Sequence, residues 1–308
     1  MAASAETLAT SHPQPAASYE AALAHLRAIA AQEDQLTLNP VCKTTLLSHG
    51  GKRRDVVIFF HGYTNCPAQF AVLGQRFFDE GYNVLIPRIA HHGLADRLTA
   101  EQAKLAAAEM VRLTEEAIDI GHGLGERVTV AGLSAGGVMA AWAAQFRSDL
   151  DLAMVCAPAL GLPFVPPPVS EFGKFLITRF PNRFIWWDPR YKDQIPGPDY
   201  AYPRFATKGL SEVMHLGAIV RQAAQTTPPR ARAIVLIHNE ADPAVNLPLA
   251  RRLGDAWQRH APAKVQSYTF PKGMRLIHDM VDPVQKGQQI EEVYPVWLAL
   301  AKQVNHPT

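Results

Sequence analysis

Arg127-Val128-Thr129-Val130-Ala131-Gly132-Leu133-Ser134-Ala135-Gly136-Gly137-Val138-Met139-Ala140-Ala141-Trp142-Ala143-Ala144 is the stretch that decides the fold. Its first five residues form a mostly apolar run rich in β-branched residues, as a buried strand requires, and its last seven are alanine-rich and helix-forming. Between them lies G-x-S-x-G. A strand, a sharp turn and a helix in that order form a nucleophile elbow, with Ser134 held in a strained backbone conformation above the end of a sheet. Gly132 and Gly136 are then required because side chains two residues either side of the serine would crowd the crossing of strand and helix. A serine hydroxyl attacks only when a base takes its proton. The elbow therefore predicts a histidine and a carboxylate further along the chain.

Working back from the elbow, Asp55 to Phe60 is a strongly apolar strand that runs into His61-Gly62-Tyr63-Thr64-Asn65, with a helix over residues 67–80. Negative charge develops on the carbonyl oxygen during acyl transfer, and a backbone N–H aimed at it contributes about 3 kcal/mol. The two donors predicted here are the N–H groups of Tyr63 and of Ala135, the residue after the nucleophile. His61 reads as a structural loop residue. Val41 to Leu47 and Asp55 to Phe60 read together as a hairpin that begins the sheet, and Tyr82 to Pro87 is a further strand. His91 and His92 adjoin each other without the additional Cys, His or Asp that a closed zinc site needs. A long helix over residues 99–121 leads to the elbow strand. Tyr19 to Ala31 has the apolar spacing of an outer helix, and residues 1–17, small, polar and proline-containing, read as a disordered arm.

Forward from the elbow, Leu152 to Cys156 is a strand and then the alternation stops. Residues 160–230 form a segment dense in aromatics and prolines, read as a cap inserted into a core of residues 18–159 and 231–308. Such a cap lines an apolar acyl or alcohol pocket, for which Phe164, Phe172, Phe175, Trp186 and Trp187 are the candidates. The alternation resumes at Ala233 to His238, followed by Asn239-Glu240-Ala241-Asp242. Ligand sites in parallel α/β sheets lie at the carboxyl ends of strands, so Asp242 is chosen to orient the histidine, with Glu240 as the alternative. Lys264 to Phe270 is the last strand. His278, in the loop after it, is the general base: near neutral pKa it takes the Ser134 proton and passes it to the leaving group. Strands alternating with helices of this length give an α/β fold, a mostly parallel sheet covered by helices on both faces.

Composition narrows the partners. With 308 residues, 48% apolar, 19% charged and a formal net charge of +2, the chain is globular, and it has no basic run for nucleic acid. It has no apolar run of membrane-spanning length, so no stable membrane insertion is expected. Cys42, Cys66 and Cys156 are sparse and lack metal spacing, which reads as three buried free thiols in a reducing compartment. The N-terminus lacks the pattern of a secretory signal, and a cytoplasmic location is the expectation.

The order Ser134, Asp242, His278, with the elbow and the His-Gly loop, resembles the α/β-hydrolase superfamily over about residues 41–304. HGYTNCPAQF, the later IAHHG and a cap after the strand at Leu152 to Cys156 are similar to its carboxylesterase and monoacylglycerol-lipase-like members, although IAHHG stands where Gly-His-Gly is more usual. The resemblance implies attack by Ser134 on a small-molecule ester, an acyl-enzyme, and its hydrolysis by water activated through His278. It implies no metal and no organic cofactor. The same triad serves amides, thioesters or a different acyl acceptor, and the fold also serves binding proteins with an inert serine.

Overall fold

The computed structural model describes residues 4–163, 181–195 and 197–305. Its elements in chain order begin with α1 (Ala5–Leu8), α2 (Tyr19–Glu33), β1 (Thr45–Leu47), β2 (Arg53–Phe60), α3 (Ala71–Asp79) and β3 (Asn83–Ile86). Then come α4 (Ala107–Leu124), β4 (Gly125–Leu133), α5 (Ala135–Phe146) and β5 (Leu152–Cys156). A small pair, β6 (Phe184–Trp186) and β7 (Arg204–Ala206), precedes α6 (Thr207–Thr226), β8 (Ala233–Asn239), α7 (Leu247–His260), β9 (Val265–Phe270) and α8 (Ile290–Asn305).

Among the described residues the main sheet runs β1-β3-β2-β4-β5-β8-β9. It is parallel except for β1, which lies antiparallel on β3 at the edge. The hairpin expected from residues 41–60 does not form. β1 is short, and the apolar strand β2 is buried at every position from Val56 to Phe60, so it takes a central place with β3 between it and β1. A strand covered on both faces reads as an unbroken apolar run, and each side chain so buried contributes about 1.5–3 kcal/mol. One face is covered by α3 and α8, where Phe59 stacks on Phe70 at 4.9 Å and Trp297 closes over both. On the other face α4, α5 and α6 pack together, and α7 lies against α6.

The N-terminal arm differs from expectation. Residues 4–17 lie against α4 and α5: Leu8 is buried and its carbonyl accepts the Trp142 indole N–H at 2.7 Å. The Gln14 and Ala16 N–H groups donate to Asp119, and the His12 N–H donates to Glu115. Small polar residues look disordered by composition, but here two acidic side chains and a backbone carbonyl of the neighbouring helix satisfy their backbone donors.

Two further expectations are corrected. The aromatic insertion ends sooner than residue 230, because α6 buries Val213, Leu216 and Val220 in the same core as α5 and so belongs to the helical layer. Cys42 and Cys66 are not free thiols. The short turns Pro40–Cys42 and Pro67–Phe70 pack together and bring their Cα atoms to 5.2 Å, where they form a disulfide. The inference of a reducing compartment from the cysteine count falls with it. Cys156 is free and buried. Among the described residues, no helix is long and apolar enough to cross a membrane.

Candidate active site

Ser134 follows the last residue of β4 and caps α5, with φ 61° and ψ −113°. Only a sharp reversal carries the chain from strand to helix here, and its surroundings enforce it. A Cβ on Gly132 would collide with the Gly136 carbonyl, and one on Gly136 with the Phe60 carbonyl of the adjacent strand. The Ser134 N–H donates to the Cys156 carbonyl at 3.1 Å and its own carbonyl accepts from Ala159, which pins the turn to the end of β5. The Ala135 N–H is among the first donors of α5, which have no partner inside the helix and form the positive end of its dipole.

The β2 loop stands beside this turn, with Gly62 within 3.6 Å of the Ser134 side chain as measured from an added Cβ. Thr64 has φ 69°, unusual for a β-branched residue. Three ties hold the loop in that shape: the Tyr63 hydroxyl donates to the Ala206 carbonyl at 2.9 Å, the Tyr202 N–H donates to the Thr64 carbonyl at 2.8 Å, and the Trp187 indole donates to the Thr64 hydroxyl at 3.0 Å. Beneath it, His61 accepts the Ile89 N–H on Nε2 and donates from Nδ1 to the Gly62 carbonyl, so its ring is neutral. Burial above all, with His92 and Arg88 nearby, holds it well below the usual histidine range. Both of its ring nitrogens are engaged by backbone groups, which leaves neither free to act as a base.

Asp242 and His278 come from the loops after β8 and β9. Nδ1 of His278 lies 2.7 Å from the Asp242 carboxylate, which fixes the neutral tautomer with its proton on Nδ1 and leaves Nε2 as the accepting nitrogen. The Asp242 side chain is fully buried, while the ring keeps 20% of its surface exposed. Burial works against the imidazolium, but the charge and hydrogen bond of Asp242, with Asp279 behind them, outweigh it and raise the His278 pKa. Glu240, the alternative acid, pairs with Arg251 at 3.0 Å on the surface. Asp242 also adds to burial in pushing the Cys156 thiol up, so that sulfur stays protonated.

Ser134, Tyr63 and His278 share one cavity of about 650 Å³. Trp187 lines it; Trp186 does not, because neighbouring residues of an extended segment face opposite ways. Phe164, Phe172 and Phe175 lie outside the described residues. Sequence reading missed Leu162, Tyr202, Phe205, Leu210 and Met214 on the apolar wall, and Asn65, Asp279 and Gln285 on the polar one. His91 and His92 are not part of the cavity wall. His91 bonds Glu101 and Glu109, and His92 packs between Tyr63 and Tyr202, where burial lowers its pKa to about 4.

The sequence model of the alpha/beta hydrolase family matches residues 57–282, from β2 through the His278 loop. The chain belongs to this family. No curated protein matches its sequence. Among solved structures, this family member is similar in fold to one from work on the metagenome-derived lipolytic enzymes LipS and LipT, at 17% identity and TM-score 0.62, covering 86% of this chain and 99% of that one. A monoacylglycerol lipase of Paleococcus ferrophilus gives 16% and 0.59, covering 85% and 97%. A soluble monoglyceride lipase variant from Saccharomyces cerevisiae, solved with a substrate analogue, gives 14% and 0.63, covering 85% and 90%.

Proposed function

We propose that this family member is a serine hydrolase that cleaves carboxylic esters with an apolar acyl or alcohol part through an acyl-enzyme. The observation that carries the reading is the buried Asp242–His278 pair at 2.7 Å, opening on the same cavity as a serine held at positive φ. A binding pocket has no use for a base oriented in this way beside a strained nucleophile. The apolar wall suits a hydrocarbon substituent, and the lipolytic enzymes among the structural neighbours are consistent with it.

In the proposed reaction the Ser134 oxygen attacks the ester carbonyl as His278 Nε2 takes its proton. The N–H groups of Tyr63 and Ala135 receive the developing oxyanion, each contributing about 3 kcal/mol to the transition state. Collapse of that intermediate breaks the ester bond, and the imidazolium returns the proton to the departing alcohol. Asp242 stabilises the imidazolium meanwhile and stays ionised. Water then attacks the acyl-serine by the same route, releasing the acid and restoring Ser134.

The test is labelling with a fluorophosphonate, read by intact mass, beside hydrolysis of p-nitrophenyl esters of increasing chain length. Wild type takes one adduct and turns over. Ser134→Ala takes none, and His278→Ala loses about 10⁴-fold or more in kcat. Wild-type protein that neither labels nor hydrolyses any ester would overturn the reading, as would full activity in His278→Ala.

A further inference from the structure

The two loops that meet at the cavity come from strands far apart in the sheet. The oxyanion loop follows β2 and the base loop follows β9, and β4, β5 and β8 lie between them. Strand pairing alone leaves their relative position loose, yet a displacement of 1 Å at a reacting group costs on the order of 10²-fold in rate. Two side chains join them directly: Asn65 in the β2 loop hydrogen-bonds Asp282 in the β9 loop, and Gln69 makes the second tie. Gln69 lies in the turn before α3 and is fully buried. Its Oε1 accepts the Gly62 N–H at 2.8 Å, and its Nε2 donates to Asp279 Oδ1 at 2.9 Å. Gly62 immediately precedes Tyr63, and Asp279 immediately follows His278.

The chemistry of the partners fixes which way the amide points. A backbone N–H only donates and an ionised carboxylate only accepts, so one orientation satisfies both and the flipped one satisfies neither. The second oxygen of Asp279 accepts from Gln285 Nε2 at 3.1 Å. The carboxylate is thus held by two amides on the polar wall of the cavity, with His278, Asp242 and Asp282 facing it and Tyr200 bonded to Asp282. Burial, together with Asp282 and Asp242, raises the Asp279 pKa against the pull of His278 and Gln69.

We infer that Gln69 is a positioning residue that locks the oxyanion loop to the base loop, and that it holds Asp279 as a second carboxylate beside His278. The inference rests on Ser134, Asp242 and His278 acting as the proposed triad. Gln69→Leu leaves the Gly62 N–H without an acceptor and Asp279 without a donor, and lowers kcat by about 10²-fold with KM within about threefold of wild type. Gln69→Glu has the same shape but bridges the loops only when it carries a proton. Its kcat/KM as a fraction of wild type therefore falls as pH rises from about 6 to 9, since two adjacent carboxylates share one proton and then lose it. Asp279→Asn removes negative charge next to the imidazolium and shifts the acid limb of kcat/KM to lower pH.

A purely structural glutamine would lower melting temperature or rate uniformly and would leave the Gln69→Glu ratio flat across pH. Should Gln69→Leu fail to fold, the Gln69→Glu profile decides alone. A labelled, active wild type with a flat Gln69→Glu ratio overturns this inference and leaves the triad standing. A wild type that takes no fluorophosphonate overturns the triad reading and this inference with it.

Discussion

Two turns at the same edge of the sheet hold a strained backbone by different means. The elbow at Ser134 and the loop at Tyr63 follow neighbouring parallel strands, and each contains a non-glycine residue at positive φ, Ser134 at 61° and Thr64 at 69°. The elbow is held by backbone packed against backbone, with glycines where no Cβ fits. The β2 loop is held by ties from elsewhere, mostly side chains: Gln69 from its own helix start, Trp187 and the Tyr202 backbone N–H from the insertion, and the Cys42–Cys66 disulfide at its far end. Local confinement makes a turn rigid and visible in a short motif. Remote ties make it adjustable and leave no motif behind.

The harshest way to break this comparison is Gly136→Ala. Its methyl would have to enter the Phe60 and His61 carbonyls, which cannot move without disturbing β2. Fluorophosphonate labelling is lost altogether and stability falls by about 3 kcal/mol or more, read by calorimetry. An active Gly136→Ala would show that the elbow is not confined by its backbone. Asp242→Asn comes next: the fold survives, and kcat falls by about 10³- to 10⁴-fold. Its pH profile carries a sign. The Asp242 charge favours the imidazolium, so removing it lowers the His278 pKa and moves the acid limb of the residual kcat/KM to lower pH. An acid limb that stays in place would show that Asp242 does not set the protonation of His278.

What was legible in the sequence follows the same division. The elbow, the strands around it and the loops bearing Asp242 and His278 rest on local patterns, namely β-branched runs, glycines at a crossing, and acidic and histidine residues just past strand ends. Pairings between distant segments were not legible. Two apolar stretches close in sequence suggested a hairpin, yet the choice of neighbour depends on which strand buries both faces, and β3 took the place beside β2. Cys42 and Cys66 read as separate thiols because nothing in their spacing announces that two short turns touch. Gln69 looks like an ordinary residue at a helix start. Its one signal is a polar side chain between Ala68 and Phe70 in an otherwise apolar turn, and its two partners lie 7 and 210 residues away.

The disulfide tests the remote side with a moderate effect. Cys42→Ser with Cys66→Ser, or added reductant, frees the end of the β2 loop and opens a loop with a sequence separation of 24. By loop-closure entropy the loss is about 3 kcal/mol, seen as a melting temperature several degrees lower. Because the turn at Pro67–Phe70 also carries Gln69, kcat drops with it, whereas the elbow keeps its geometry and still labels slowly. A melting temperature indifferent to reductant would remove the disulfide from the supports of the loop.

Trp187→Phe gives the smallest effect and the finest resolution. Trp187 is half exposed on the cavity wall and packs at a tilt on Phe205 with ring centroids 4.5 Å apart, so a phenyl ring preserves much of the wall while deleting only the indole N–H on Thr64. One neutral hydrogen bond is worth about 1 kcal/mol, which corresponds to a loss in kcat of roughly fivefold. Thr64→Val keeps the β-branched backbone preference and removes the acceptor instead, with a loss of the same size. If the bond is the link between the insertion and the β2 loop, each substitution alone breaks it and the double variant loses no more than either single one. Losses that multiply in the double variant would mean that Trp187 and Thr64 act separately, and that the loop keeps its positive φ without help from the residue above it.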